Sequence, residues 1–137
     1  MANFDPIAQM LTIIRNGIQA KKKFVIIDSS NLKKDIVRIL HEENFITKYS
    51  VLEPSEKDDR KFEEIKIYLR YVNDFESVIK GLQKISKPSK RVYVDSNNIP
   101  VVLNHIGIAI LSTNKGVLID RDARKYNVGG EYICKIW

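Results

Sequence analysis

In the run FEEIKIYLRY, residues 62–71, Ile65, Ile67, Leu69 and Tyr71 alternate with Lys66, Tyr68 and Arg70. A strand sends successive side chains to opposite faces, so a period of two demands a strand with one dry and one wet face. Such a sheet needs apolar cover on its dry side, and the residues before it supply two helices. Asp5 and Pro6 open a pattern in which Ile7, Met10, Leu11, Ile14 and Ile18 share one stripe, running to about Gln19. Ser30 opens a second, carrying Leu32, Ile36, Ile39 and Leu40. Between them a cationic turn, Lys21, Lys22 and Lys23, leads into the β-branched run FVIID. FITKYSVLE and the charged turn PSEKDDRK then precede the alternating strand, which predicts an antiparallel hairpin over residues 45–71. The first part reads as α-β-α-β-β.

After a soft boundary at VNDFES the pattern changes. VIKGLQKIS fits helix or strand by periodicity, and Gly81 with the terminating SKPSK favours an extended segment. RVYV is a strand. SNNIPVVLNHIG has a capping residue, an early proline and a terminal glycine, which predicts a short helix. IAILS and GVLI are strands around a polar loop, DRDARKYN is a short helix capped by Asp120, and EYICKIW is a final strand after Gly129 and Gly130. The fold class is α+β in two small domains: 1–75, α-β-α-β-β, and 76–137, mainly antiparallel β with short helices.

The chain carries 23 Lys plus Arg against 17 Asp plus Glu, with a pI near 9.4. A polyanion is the first partner to consider. Residues 76–137 hold 10 basic and 5 acidic groups, so +5 of the net +6 lies in the second part. No apolar run approaches a membrane span, and MANFDPIAQM lacks the basic start and apolar block of a secretory signal, so the expected location is cytoplasmic. One cysteine, Cys134, cannot form an internal disulfide and reads as a buried thiol, and no Cys/His spacing suits zinc. No cofactor or metal is expected.

Catalysis would need a nucleophile, a base and an orienting group. Ser112, His105 and Asp120 are the candidates for a hydrolytic or RNA-modifying enzyme, but no nucleophile-elbow pattern surrounds Ser112, and phosphate-cradling glycine loops are missing. Nucleic-acid binding has more behind it. Lys84, Lys87, Lys90 and Arg91 precede the strand holding Tyr93, and Lys115, Arg121, Arg124 and Lys125 follow the polar loop. That loop, Ser112, Thr113, Asn114, Lys115 and Gly116, is richer in hydrogen-bonding groups than a two-residue hairpin turn requires. Short side chains that donate and accept suit the 2′-hydroxyls and base edges of the RNA minor groove, and Lys115 can take a phosphate. The alternative is a hairpin turn in which a hydroxyl bonds its own backbone.

Together with ISKP, RVYV, GIAILST and the ending GGEYICKIW, these residues resemble the family of the eighth protein of the bacterial-type small ribosomal subunit. The likeness runs the whole length from DPIAQMLTIIRNG. It implies a non-enzymatic protein that binds the central domain of 16S ribosomal RNA and helps assemble the platform. It also implies contact with neighbouring small-subunit proteins, the fifth among them, and, as in some bacteria, repression of its own operon through a messenger RNA that imitates the ribosomal site. By the same likeness the RNA-binding positions are Ser112, Thr113, Lys115 and Gly116, with Asn114 where serine is usual. Lys87 and Pro88 match the segment before the strand, with Ser89 where glycine is common, and Arg91 joins them from the basic run. Tyr93 matches an aromatic position that either packs or stacks on a ribose, Glu131 follows Gly129 and Gly130, and Arg121 and Arg124 come from the basic patch. Arg15 and Asn16 fit the first-helix run, in which Gln9 replaces an aspartate and Ile13 an arginine.

Overall fold

The computed structural model describes residues 4–137. Two compact units result: residues up to Leu11 with Lys80–Trp137, and Thr12–Ile79. Helix α1, Pro6–Gln19, contributes its first turns to the former and the remainder to the latter.

In the Thr12–Ile79 unit, β1 (Phe24–Asp28), α2 (Asn31–Glu42), β2 (Ile46–Leu52) and β3 (Glu64–Leu69) build an antiparallel sheet of order β1-β3-β2. Ile65, Ile67 and Leu69 are buried, as the alternation requires. Ser30 caps α2 by accepting from the Lys33 amide at 3.2 Å, which satisfies one of the amides left orphaned at a helix start. The helix buries Ile36, Val37, Ile39 and Leu40, and α2 packs against β2. Asn44, at φ +65°, then turns the chain so that Phe45 and Ile46 are buried. A β-carbon on Gly17 would collide with the Val25 side chain and press on Leu69, so even alanine there would need these neighbours to shift.

The other unit holds β4 (Leu82–Lys84), β5 (Tyr93–Val94), β6 (Ile108–Thr113), β7 (Gly116–Ile119), α3 (Asp120–Tyr126) and β8 (Gly130–Ile136). Its sheet runs β4-β8-β6-β7, with β5 also on β8, all antiparallel. Val102, Ala109, Leu111, Ala123 and Tyr132 form a core cluster, against which Val92, Val94, Ile99 and Trp137 pack. Asp5 caps α1 through the Ala8 amide at 3.1 Å, and its carboxylate pairs with Lys84 at 3.3 Å, tying the helix start to β4.

Two local expectations fail. The helix predicted in residues 96–107 is a series of turns. Asp95 holds the amide of Asn97 and the side chain of Asn98, Pro100 removes a donor and pushes Ile99 towards extended backbone, and Val102 is buried in the core. Leu103, Asn104 and His105 then take positive φ values of 45°, 52° and 70°. Asp120 does not cap α3: the N-cap is Ile119, without a side-chain bond. Asp120 is instead the first helical residue, buried, where its carboxylate accepts from the Ala109 amide at 3.2 Å and from Arg124 at 2.9 Å. That pair pins α3 to β6.

Candidate nucleic-acid interface

The polar loop resolves into a tight hairpin. Thr113 pairs with Gly116, leaving Asn114 and Lys115 as the turn. Positive φ in the loop is confined to Gly116, at +101°, the arrangement of a turn completed by a glycine rather than by its two central residues. Any other residue there would be strained, although the space around it is open. Thr113 Oγ1 accepts from the Lys115 amide at 3.0 Å and donates to the Gly116 carbonyl at 2.8 Å. The alternative reading of a local hydroxyl-to-backbone bond therefore holds for Thr113. Asn114, Lys115 and Gly116 are exposed, and Ser112 is partly so. Lys115 Nζ stands 5.9 Å from the ring centre of Tyr126, itself half exposed, a neighbour that spacing alone did not suggest.

Strand register brings three of the expected positions into line. Ser112 on β6 is opposite Glu131 on β8, and Glu131 is opposite Tyr93 on β5. Directly paired residues project to the same face, so Ser112, Glu131 and Tyr93 form one row. Tyr93 is 69% exposed, which leaves its ring open to stacking rather than committed to packing. Glu131 is partly buried, and its carboxylate accepts from Arg91 at 3.0 Å and from Ser86 Oγ at 2.5 Å. Ser86, wholly buried, also accepts from the Val92 amide at 3.1 Å. An acidic residue in a basic region is thus accounted for: it holds Arg91 beside Tyr93. Ser86 was missed because its partners are 6 and 45 residues away.

The segment before β5 also turns tightly. Lys87 and Lys90 exchange backbone hydrogen bonds of 3.0 Å each, closing around Pro88 and Ser89. Ser89 keeps a negative φ, so the turn forms without glycine. Lys87, Lys90 and Arg91 are exposed at its rim. Arg121 is exposed, 3.8 Å from Asp122. Arg124 is different: its guanidinium is engaged by Asp120 and by the Pro100 carbonyl at 2.6 Å, so its first task is to hold the loop before β6. Arg15 and Asn16 are exposed but belong to the Thr12–Ile79 unit.

Cys134 is fully buried on β8, and burial pushes its thiol up to about 12. It is inert at neutral pH. His105 is exposed in the left-handed stretch. Among the described residues no group of His, Cys, Asp or Glu could hold a metal ion, and no helix is long and apolar enough to cross a membrane.

The family model described as ribosomal protein S8 matches residues 5–137. The chain belongs to the ribosomal protein S8 family. Three curated relatives, each called small ribosomal subunit protein uS8, align with the whole of this chain and the whole of their own. That of Clostridioides difficile (strain 630) is 51% identical, that of Lactobacillus johnsonii 49% and that of Geotalea daltonii 45%. As a member of the S8 family the protein is a structural ribosomal protein and not an enzyme, so the Ser112 and His105 hydrolase reading is set aside. Membership also accounts for the full-length likeness carried by GIAILST and GGEYICKIW.

Proposed function

We propose that this protein is a component of the small ribosomal subunit that binds the central domain of 16S ribosomal RNA. The proposed surface is the Ser112, Glu131 and Tyr93 row with the β6–β7 hairpin tip, flanked by Lys87, Arg91, Lys115 and Arg121. Arg15 and Asn16 add a contact from the first helix. The observation that supports this best is the preorganised tip: Asn114, Lys115 and Gly116 stand exposed on a turn already fixed by Thr113. A groove reader with a fixed backbone loses little entropy on binding. Asn114 and Ser112 supply donors and acceptors for 2′-hydroxyls and base edges, and Tyr93 a stacking face. The cations supply salt-sensitive attraction. On this reading the protein works on the cytoplasmic ribosome beside other small-subunit proteins, including the fifth, and the same surface takes an operon messenger RNA of matching shape.

The test is filter binding to a central-domain ribosomal RNA fragment beside a scrambled duplex. Wild-type protein is expected to prefer the fragment. Ser112→Ala should lose most of that preference, while Lys115→Ala should weaken both complexes and flatten the dependence of log affinity on log salt by about 0.7 to 0.9. Equal affinity of wild-type protein for the two RNAs overturns the reading.

A further inference from the structure

The Thr12–Ile79 unit has an outward sheet face that the hairpin reading does not use. Register places Lys48, Tyr68 and Phe24 in one row across β2, β3 and β1, and Ser50, Lys66 and Ile26 in the next. The alternate residues Val25, Ile27, Ile65 and Ile67 are buried, so these rows form the face turned away from the unit's core. Phe24 is 38% and Ile26 42% exposed. The Phe24 and Tyr68 rings are neighbours, 5.7 Å between centres and 51° between planes. Lys66 Nζ lies 4.1 Å from the centre of Phe24 and 5.2 Å from that of Tyr68, and Lys48 Nζ lies 4.5 Å from Tyr68. Lys66 bonded to the Tyr68 hydroxyl, with Lys48 and Lys23 near by, holds that phenol below its usual range.

We infer that this face is a second nucleic-acid surface, which takes unpaired nucleotides of an RNA strand by stacking bases on Phe24 and Tyr68 and holding their phosphates with Lys48 and Lys66. Phe24 is exposed and Tyr68 half-buried beside it, and accessible aromatic rings interleaved with cations on a sheet are what sequence-tolerant single-strand binding needs, since every base has a stacking face. The lysines now over the rings do not bar this. An exposed cation–π contact is weaker than base stacking, and the displaced ammonium finds a phosphate on the same nucleotide. The lysines favour an anionic partner over an apolar protein segment at this end, and the paired rings favour one that carries bases. Beyond β1's start, a mainly apolar groove lined by Ile13, Asn16, Phe24 and Ile26 adds Lys22 and Lys23 to the cations on this side. Asp28 and Glu64 form the opposite end and bound the strand's path. The surface belongs to a different unit from the hairpin, and either assignment can fail alone.

Fluorescence anisotropy of a short labelled oligouridylate with the full-length protein tests it. The double variant Phe24→Ala/Tyr68→Ala should lose about tenfold or more in affinity. Lys48→Ala and Lys66→Ala should each flatten the salt dependence by about 0.7. Ser112→Ala/Lys115→Ala should weaken oligouridylate binding less than the aromatic variant does, and amide signals of β1 and β3 should shift on titration. Where the double aromatic variant does not fold, Lys66→Glu, an outward position, must still weaken binding. No binding by wild-type protein, an unchanged affinity in the aromatic variant or in Lys66→Glu, or a loss confined to the hairpin variant overturns the inference. So does self-association through this face with no response to RNA.

Discussion

Thr113 Oγ1 donates to the carbonyl of Gly116 at 2.8 Å, closing the β6–β7 turn from its own base. The same oxygen accepts from Lys115, so one hydroxyl sets both ends of the tip. Thr113→Val keeps the shape and removes both bonds. A loss of about 1 kcal/mol in urea unfolding is expected for exposed hydrogen bonds of this kind. Thr113→Ser should retain most of the stability and the RNA affinity, because the hydroxyl remains. Equal RNA affinity in the valine and serine variants would show that the bonds do not preorganise the tip.

Asp120 is the anchor of α3. Asp120→Ala would leave the Ala109 amide without an acceptor and the half-buried Arg124 without its charge partner. Breaking a buried pair by removing one member is costly, and partial exposure of Arg124 reduces the amount, so about 2–4 kcal/mol is expected in denaturant unfolding. Asp120→Asn keeps an oxygen for Ala109 and should cost less. A change below about 0.5 kcal/mol in the alanine variant would contradict the anchoring role.

Alkaline pH should weaken the fold through β8. The Cys134 thiol is pushed up to about 12 from an ordinary 9.0, chiefly by burial, and the Tyr132 phenol to about 12 from 10.0, first by burial and then by Cys134 and Asp120. Well below pH 9 both groups are protonated in folded and unfolded chains, and their contribution is constant. Between that point and about pH 12 the unfolded chain gives up protons that the folded chain keeps, so stability falls as pH rises. The slope for one such group is about 1.4 kcal/mol per pH unit. Cys134→Ala will lower stability at neutral pH but should show a shallower decline above pH 9. In the native protein at pH 8 the thiol should resist a disulfide reagent that modifies the unfolded chain within the same time.

His105 sits at φ +70°, a conformation that a β-carbon disfavours. His105→Gly relieves that strain but makes the unfolded chain more flexible. The balance expected is a gain of about 0.5–1 kcal/mol in thermal or urea unfolding. A destabilised glycine variant would mean that the imidazole makes up for its backbone in another way.

The elements that were legible are those with local causes. Asp5 and Ser30 cap their helices because a short oxygen beside an orphaned amide is a chain-neighbour effect. The hairpin of β2 and β3 follows from the alternation of Ile65, Ile67 and Leu69. Residues 96–107 were misread because a cap, a proline and a final glycine also describe connected turns, and the pull of Val102 into the core is not written in the spacing. Asp120 was misread for a similar reason, since its partner Ala109 lies on another strand. At the candidate site, the alignment of Tyr93, Glu131 and Ser112 depends on the register of three strands and on the bulge between Ile110 and Leu111. Side-chain type named the residues, but only pairing puts them in a row. Trp137, on which the sequence was silent, packs close to Gly81 and against the core cluster.

Strand β8 is the hub of its sheet, hydrogen-bonded to β4, β5 and β6, yet of those strands it is synthesised last. During translation its three partners must wait with open edges until it emerges. The Ser112, Glu131 and Tyr93 row therefore cannot exist on a growing chain until synthesis has reached the final strand.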